Sequence, residues 1–101
     1  MSKAVWFISY KLVEGASAPD FLLASKRAHD EVLSKKKGFI SWQALAGDDV
    51  WVDLVTWKTM EDAVGAESDD GDMANPAAQE FYSFIDYGSL KLQAFTIERS
   101  Y

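Results

Sequence analysis

The chain has 101 residues and a formal net charge of −6. Its length predicts a single domain spanning residues 1–101, and its acidic charge argues against DNA or RNA as a partner because both are polyanions. With no cysteine and a single histidine, the sequence excludes disulfides and thiolate catalysis, and neither a metal nor a cofactor is expected.

The location of the protein is predicted from what the sequence lacks. The apolar run at the N-terminus is short and meets Lys11 and Glu14, without a small-residue cleavage site. No apolar stretch approaches the roughly 18 residues that a membrane span needs. We therefore expect a soluble cytoplasmic protein that binds neither membrane nor nucleic acid.

The first predicted elements are a strand and a helix. Residues 5–13 are rich in β-branched and aromatic side chains, which favours a strand. Ser17 as N-cap and Pro19 in the first turn predict a helix start. Lysines at 35–37 followed by Gly38 indicate the helix end, with cations near the negative end of the dipole and glycine in the left-handed cap. The apolar stripe of this helix comprises Phe21, Ala24, Ser25, Ala28 and Val32.

The middle of the chain predicts a hairpin followed by a short helix. Residues 39–46 and 50–57 read as strands joined by a short turn at 47–49. Thr59, with an acid three residues later, has the form of a capping box. The acidic stretch at 67–72 breaks the helix and is interpreted as a solvated loop that could close over a cleft.

The last third of the chain predicts a second helical segment and a final strand. Asn75 and Pro76 restart the helix as N-cap and first position, Gly88 is expected to end it, and residues 90–98 read as a strand. The expected helix face comprises Ala77, Phe81, Phe84 and Ile85. The order β-α-β-β-α-β predicts the ferredoxin-like α+β fold, a four-stranded antiparallel sheet with helices on one face.

Alternation along the four strands predicts two different sheet faces. Even-numbered residues are almost all apolar and are expected to face the helices, whereas odd-numbered residues mix aromatic and polar types. An aromatic centre with polar surroundings is typical of an interface, so we expect a homodimer with sheets packed face to face. The expected interface residues are Phe7, Phe39, Trp51, Trp57 and Phe95.

Three short segments carry a resemblance to a known superfamily. They are Gly38-Phe39 between helix and second strand, Thr56-Trp57-Lys58-Thr59 at the next strand-to-helix junction, and the stretch NPAAQEF at 75–81. With the element order, they make the chain resemble the dimeric α+β barrel superfamily, and within it the antibiotic-biosynthesis-monooxygenase-like (ABM) domains. The resemblance implies a dimeric ferredoxin-like barrel, and the superfamily includes cofactor-free quinone-forming oxygenases and haem-degrading oxygenases.

The resemblance also allows the haem-degrading branch to be tested by position. That branch uses a strand Asn, a helical Trp and a later His. The corresponding positions here are Ile8 or Ser9, Ala66 and about Gln79, and no histidine follows residue 29. The sequence therefore argues against haem degradation.

Three functional hypotheses remain open from the sequence. The leading one is a small aromatic or lipophilic ligand bound between sheet and helices, with an undetermined activity. The second is a cofactor-independent monooxygenase acting on a phenolic or quinol-type substrate through Tyr10, Trp42 and His29. The third is a structural or interaction protein with a filled core. The candidate pocket residues are Tyr10, His29, Trp42, Phe81 and Tyr82.

Common nucleotide-binding and hydrolase motifs are absent from the sequence. It has no G-x-S-x-G elbow, P-loop or G-x-G-x-x-G. The acidic stretch around Gly71 fails as an EF-hand loop because Ala66 and Ala77 occupy positions where carboxylates are required.

Overall fold

The computed structural model describes residues 2–101, apart from the side chains of residues 70 and 73. The side chain of Asp70, which belongs to the predicted acidic segment, thus lies outside the description. Short 3₁₀ turns at Leu33–Lys35 and Asp70–Ala74 accompany the regular elements. Within the described residues these elements are β1 (Ala4–Leu12), α1 (Ala18–Glu31), β2 (Phe39–Ala46), β3 (Trp51–Trp57), α2 (Met60–Glu67), α3 (Pro76–Ser83) and β4 (Ile85–Thr96).

The four strands form one antiparallel sheet in the order β2-β3-β1-β4. Helices cover one face of it. Trp6 of β1 donates its indole N–H to the carbonyl of Ala63 in α2, at 3.1 Å, and Tyr10 contacts Phe21 of α1 edge to face. The predicted ferredoxin-like α+β fold is confirmed.

Local capping explains where the helices begin. The Ser17 hydroxyl accepts from the backbone N–H of residue 20, and the Thr59 hydroxyl accepts from that of residue 62 at 3.1 Å. The Asn75 side-chain oxygen accepts from the N–H of residue 77 at 2.8 Å. Each cap satisfies a backbone donor that a helix start leaves free, and all three predicted helix starts are confirmed.

The segment after α1 differs from a simple helix end. Gly38 has a φ of +81°, as predicted for a left-handed cap, and its carbonyl accepts from the backbone N–H of Lys58 at 2.8 Å. The α-helix itself ends earlier, at Glu31, and continues as a 3₁₀ turn. Lys36 turns back into the molecule and pairs with Asp69 and Asp72, so the lysine run does more than complement a helix dipole.

The predicted boundary between the last helix and the last strand is wrong. The structure ends α3 at Ser83 and begins β4 at Ile85, three residues before Gly88. Ile85 and Asp86 pair with Leu12 and Lys11, beyond a register shift in β1. The irregularity lets residues with a helical hydrophobic pattern pair as a strand, because a bulge interrupts strict alternation.

The predicted face assignment holds for β1 but fails for β3. Trp6 pairs with Val55 and Tyr10 with Trp51, so even positions of β1 share a face with odd positions of β3. The hairpin sets this phase, since Ala46 pairs with Trp51 across a connection of four residues. An even number of connecting residues always pairs odd positions with even ones.

Three of the five expected interface residues therefore lie on the helix side of the sheet. Trp57 is fully buried, with its ring 4.8 Å from that of Trp6. Trp51 contacts Phe21 of α1 at 5.1 Å between ring centroids. Phe39 contacts Trp57 edge to face because the register of β2 shifts after it. For these three residues the expected exposed face is wrong.

The outer face nevertheless carries exposed apolar side chains. Phe7 and Phe95, also expected in the interface, are 41% and 46% exposed on it. Leu45 is 43% exposed, and its cross-strand partner Val52 shares the same face. The predicted apolar patch exists, but leucine and valine replace the tryptophans in it.

Candidate functional site

A cavity of about 300 Å³ lies between the helix-facing side of the sheet and the helices. Aromatic and aliphatic side chains form most of its wall, and four carboxylates also border it. The bordering residues that matter for its chemistry are Trp6, Trp42, Asp53, Ala66, Glu67, Asp69, Asp72, Ala78, Phe81 and Tyr82.

Asp53 supplies the buried polar group of this cavity. It lies in the middle of β3 and is only 3% exposed. Its cross-strand neighbours are Ile8 and Ala44. Because helices cover this side of β3, the Asp53 carboxylate is removed from bulk water. A buried carboxylate requires hydrogen bonds to offset the lost hydration.

Tyr10 provides hydrogen bonding to this carboxylate. Its hydroxyl lies 3.0 Å from Asp53 Oδ1 and 2.9 Å from Oδ2, and donates to the pair. The Tyr10 ring is 1% exposed and packs against Phe21. The two side chains come from adjacent strands, β1 and β3, so the sheet itself fixes their geometry.

Burial shifts both groups toward their neutral forms. Removal from water raises the pKa of Asp53 to about 6, although the Trp42 indole N–H and the Tyr10 hydroxyl act to lower it. Burial, followed by the neighbouring Asp53 carboxylate, raises the pKa of Tyr10 well above its usual range. Near neutral pH the pair therefore combines a weakly basic carboxylate with a hydroxyl that remains a hydrogen-bond donor.

The indole of Trp42 is the second polar feature of the cavity. Its Nε1 is buried and makes no hydrogen bond of normal length and angle, although its N–H is close enough to lower the pKa of Asp53. An unsatisfied buried donor is uncommon and is frequently found where a ligand or water binds. Trp57 Nε1 is also unsatisfied, but Trp57 is not among the residues that border the cavity.

The segment between α2 and α3 forms a charged part of the cavity border. Asp69 and Asp72 border the cavity here, and each carboxylate lies 2.9 Å from the ammonium of Lys36. The Lys36 side chain is only 11% exposed. Tyr82 closes another part of the wall, and its pKa is raised by burial first, then by Tyr87 and the nearby carboxylates.

A larger, more open groove of about 610 Å³ adjoins this charged border. It shares Asp69 and Asp72 with the cavity, but charged side chains such as Lys35, Lys37 and Glu61 form much of its lining. Small-molecule sites are mostly apolar and enclosed, so the smaller cavity is the better candidate despite its size.

The structure brings four of the five predicted pocket residues together. Trp42, Phe81 and Tyr82 border the cavity, and Tyr10 lies behind Asp53. His29 lies outside the lining, where its Nδ1 is 2.8 Å from Asp30 Oδ1 and its ring contacts Phe39 and Trp42. The functional role of all five residues stays a prediction.

Sequence reasoning missed Asp53 because it placed the odd positions of β3 on the outer face. The sequence nevertheless contains a signal that Asp53 is unusual. Asp53 is the one charged residue in the strand VWVDLVTW, and aspartate rarely occurs inside strands. The predicted three-residue turn at 47–49 kept Asp53 on the outer face, and the four-residue connection in the structure moves it to the helix side.

The described residues contain no group of three or more His, Asp or Glu side chains arranged to hold a metal ion. Ala66, where the haem-degrading pattern requires tryptophan, is a small residue at the cavity wall. Within the same described part of the chain, no helix has the length and apolar character of a membrane span.

No family model and no curated protein matches the sequence, but solved structures match the fold. SnoaB, a cofactor-independent oxygenase from Streptomyces nogalater, superposes with a TM-score of 0.75 at 14% identity, over 99% of this chain and 97% of that one. A protein from Caulobacter crescentus described as a candidate antibiotic biosynthesis monooxygenase gives 0.71 at 14% identity, over 97% and 92%.

A third similar structure is a dimeric protein of unknown function with a ferredoxin-like fold from Bacteroides fragilis. It gives a TM-score of 0.62 at 9% identity, covering 94% of this chain and 96% of that one. At such identities the likeness shows the fold alone. The chain shares the ferredoxin-like fold of these structures, and the predicted resemblance is confirmed at the level of the fold.

Proposed function

We propose that the cavity between sheet and helices binds a small aromatic or lipophilic molecule that donates a hydrogen bond to Asp53. The observation that carries the proposal is a buried carboxylate on the wall of an aromatic-lined cavity of about 300 Å³. That volume is at the lower end of the range of about 300–1,000 Å³ for small-molecule pockets. An apolar wall with few fixed polar groups is typical of sites that bind and orient such ligands.

A cavity-filling substitution tests this proposal. Ala78 of α3 borders the cavity and is 4% exposed, so the larger side chain of Ala78→Leu would occupy ligand volume. We expect calorimetric binding of a two-ring aromatic alcohol to be lost in Ala78→Leu. It should be kept in Ala18→Leu, a matched change at the exposed start of α1. Equal binding by both variants would contradict the proposal.

A specific observation favours a second function for the same cavity, namely cofactor-independent oxygenation of a phenol. Asp53 has a pKa of about 6, which suits a general base near neutral pH. Trp42 has a buried N–H without a partner, and this donor is suited to stabilise a phenolate oxygen. In the overall reaction, a phenol with a free para carbon and O₂ give a p-quinone and one water.

This second candidate assigns the base to Asp53, whereas the sequence predicted Tyr10, Trp42 and His29 for this reaction without naming a base. We expect Asp53→Asn to lower any oxygen consumption with phenolic substrates by about 10²- to 10⁴-fold, the usual contribution of a general base. His29→Ala should leave the rate within a factor of about two, because His29 does not border the cavity. Loss of activity in His29→Ala alone would contradict this assignment.

We further propose that a second copy of the chain covers the outer sheet face. The support is the exposed apolar patch of Phe7 on a central strand with Leu45 and Phe95 on the two edge strands, which is unusual for a surface in water. Light scattering should show a dimer, and Phe7→Asp should convert it to a monomer. Leu23→Asp, at a 65% exposed position of α1, is the matched control and should remain dimeric. A monomeric wild-type protein would refute this.

A further inference from the structure

Among the described residues, the charged side chains that border the cavity are all acidic. The carboxylates that border it come from β3, from the end of α2 and from the following segment, namely Asp53, Glu67, Asp69 and Asp72. Within the described residues, no lysine, arginine or histidine borders it. The ammonium of Lys36 is held by two of these carboxylates, Asp69 and Asp72, at 2.9 Å each. The potential inside the cavity is therefore negative.

Asp53 differs from the other three carboxylates because it is buried. Within the described residues, the Tyr10 hydroxyl is the one side chain that meets hydrogen-bond geometry with it, and the Trp42 N–H lies close enough to lower its pKa; both groups are neutral. A carboxylate can accept about four hydrogen bonds, and the Tyr10 hydroxyl with the nearby Trp42 N–H leaves at least half of that capacity unused. Buried carboxylates are usually paired with a cation, so this one retains both the charge and the acceptor sites for a ligand cation.

The groups packed around Asp53 do not reverse this charge. From α3, Tyr82 faces Asp53. Burial raises the pKa of the Tyr82 hydroxyl above its ordinary value, so that hydroxyl stays neutral. From β2, Trp42 contributes an aromatic ring and an N–H donor. The aromatic rings that border the cavity also attract cations through their quadrupoles.

We propose that the natural ligand carries a protonated amine on an aromatic frame, with the ammonium bound to Asp53 and the rings against Trp42 and Phe81. This inference rests on the proposed function, because it names the ligand class of the same cavity. It also implies rejection of carboxylates of the same shape. An anionic ligand would meet the four bordering carboxylates with no cation in the wall to offset them.

Three probes of one shape test the inference on the wild-type protein. They are 1-naphthylmethylamine, 1-naphthalenemethanol and 1-naphthoic acid, measured by isothermal calorimetry at about pH 7.5. We expect the amine to bind about ten- to a hundredfold more tightly than the alcohol, as charge-assisted hydrogen bonds allow, and the acid to bind least. Asp53→Asn should remove the preference for the amine, whereas Asp48→Asn in the exposed hairpin turn should keep it.

The outcomes separate this inference from the proposed function. If the amine and the alcohol bind equally, or the acid binds best, the cationic ligand is wrong while a ligand cavity remains. If none of the three probes binds, both proposals are overturned. An amine preference that survives in Asp53→Asn would place the cation elsewhere and also overturn the inference. Should Asp53→Asn not fold, the wild-type series alone decides.

Discussion

The raised pKa of Asp53 gives a prediction about stability and pH that needs no ligand. The perturbation is Asp53→Asn, which removes the titrating group but keeps its shape and an oxygen that can accept from Tyr10. The folded pKa is about 6 against an ordinary value of 3.8. A difference of about two units, at about 1.4 kcal/mol per unit, corresponds to about 3 kcal/mol of stability.

The sign follows from which state holds the proton. Between about pH 4 and pH 6 the folded protein keeps the Asp53 proton that the unfolded chain has already lost. Stability therefore falls as pH rises through this window. This loss of stability is absent below the pKa of Asp53 in the unfolded chain and complete above its pKa in the folded protein. Opposite shifts at the exposed Asp30 and Asp69, whose pKa values are lowered mainly by hydrogen bonds from lysines, occur in both proteins and cancel in the comparison.

The assay is urea denaturation of wild type and Asp53→Asn at several pH values from about 4.5 to 7.5. The wild-type free energy of unfolding minus that of the variant should fall by about 2 kcal/mol across this range, the part of the full shift that lies within it. Asp48→Asn, with the same charge change in an exposed turn, should not reproduce the slope. A difference that is flat, or that rises with pH, would refute the burial argument for Asp53.

Two further substitutions test the neighbouring structure. Tyr10→Phe removes the hydroxyl that lies 2.9 Å from Asp53. It should raise the pKa of Asp53 above about 6, seen by NMR titration of its carboxyl carbon, and cost about 1–3 kcal/mol of stability near pH 7; an unchanged pKa would show that the hydrogen bond is unimportant. Gly38→Ala places a side chain at a φ of +81° and against the Asp62 side chain, so thermal unfolding should show a loss of about 1–3 kcal/mol. Its control, Gly65→Ala in α2, meets open space and should be neutral or stabilising by up to about 1 kcal/mol; equal effects of the two changes would contradict the account of Gly38.

Local signals in the sequence were sufficient for the architecture. Ser17, Thr59 and Asn75 each cap the helix that they were expected to begin, because capping depends on residues a few positions apart. Gly38 adopts the predicted left-handed conformation for the same reason. Element type and order follow from such short-range rules, and they suffice to define the ferredoxin-like fold.

The candidate site is less predictable from the sequence than the fold, because it depends on how the strands pair. Both faces of β3 are largely apolar, so hydrophobicity did not distinguish Trp51, Asp53 and Trp57 from Val52 and Leu54. The strand register distinguishes the two faces, and the length of the hairpin connection sets that register. Bulges then moved Phe39 and the start of β4 out of simple alternation. Each error came from a strand pairing whose two faces a one-residue offset exchanges.

The central claim is that the cavity bordered by Asp53 and Trp42 binds a small aromatic molecule, and the indole N–H signals of the protein test it most directly. Trp42 and Trp57 both have buried, unpartnered indole nitrogens, but only Trp42 borders the cavity. In a ¹H–¹⁵N NMR titration with 1-naphthylmethylamine, and in parallel with 1-naphthalenemethanol, the Trp42 indole signal should shift with saturation while that of Trp57 stays in place. If neither probe moves the Trp42 signal, or if both indole signals shift alike, the claim is contradicted.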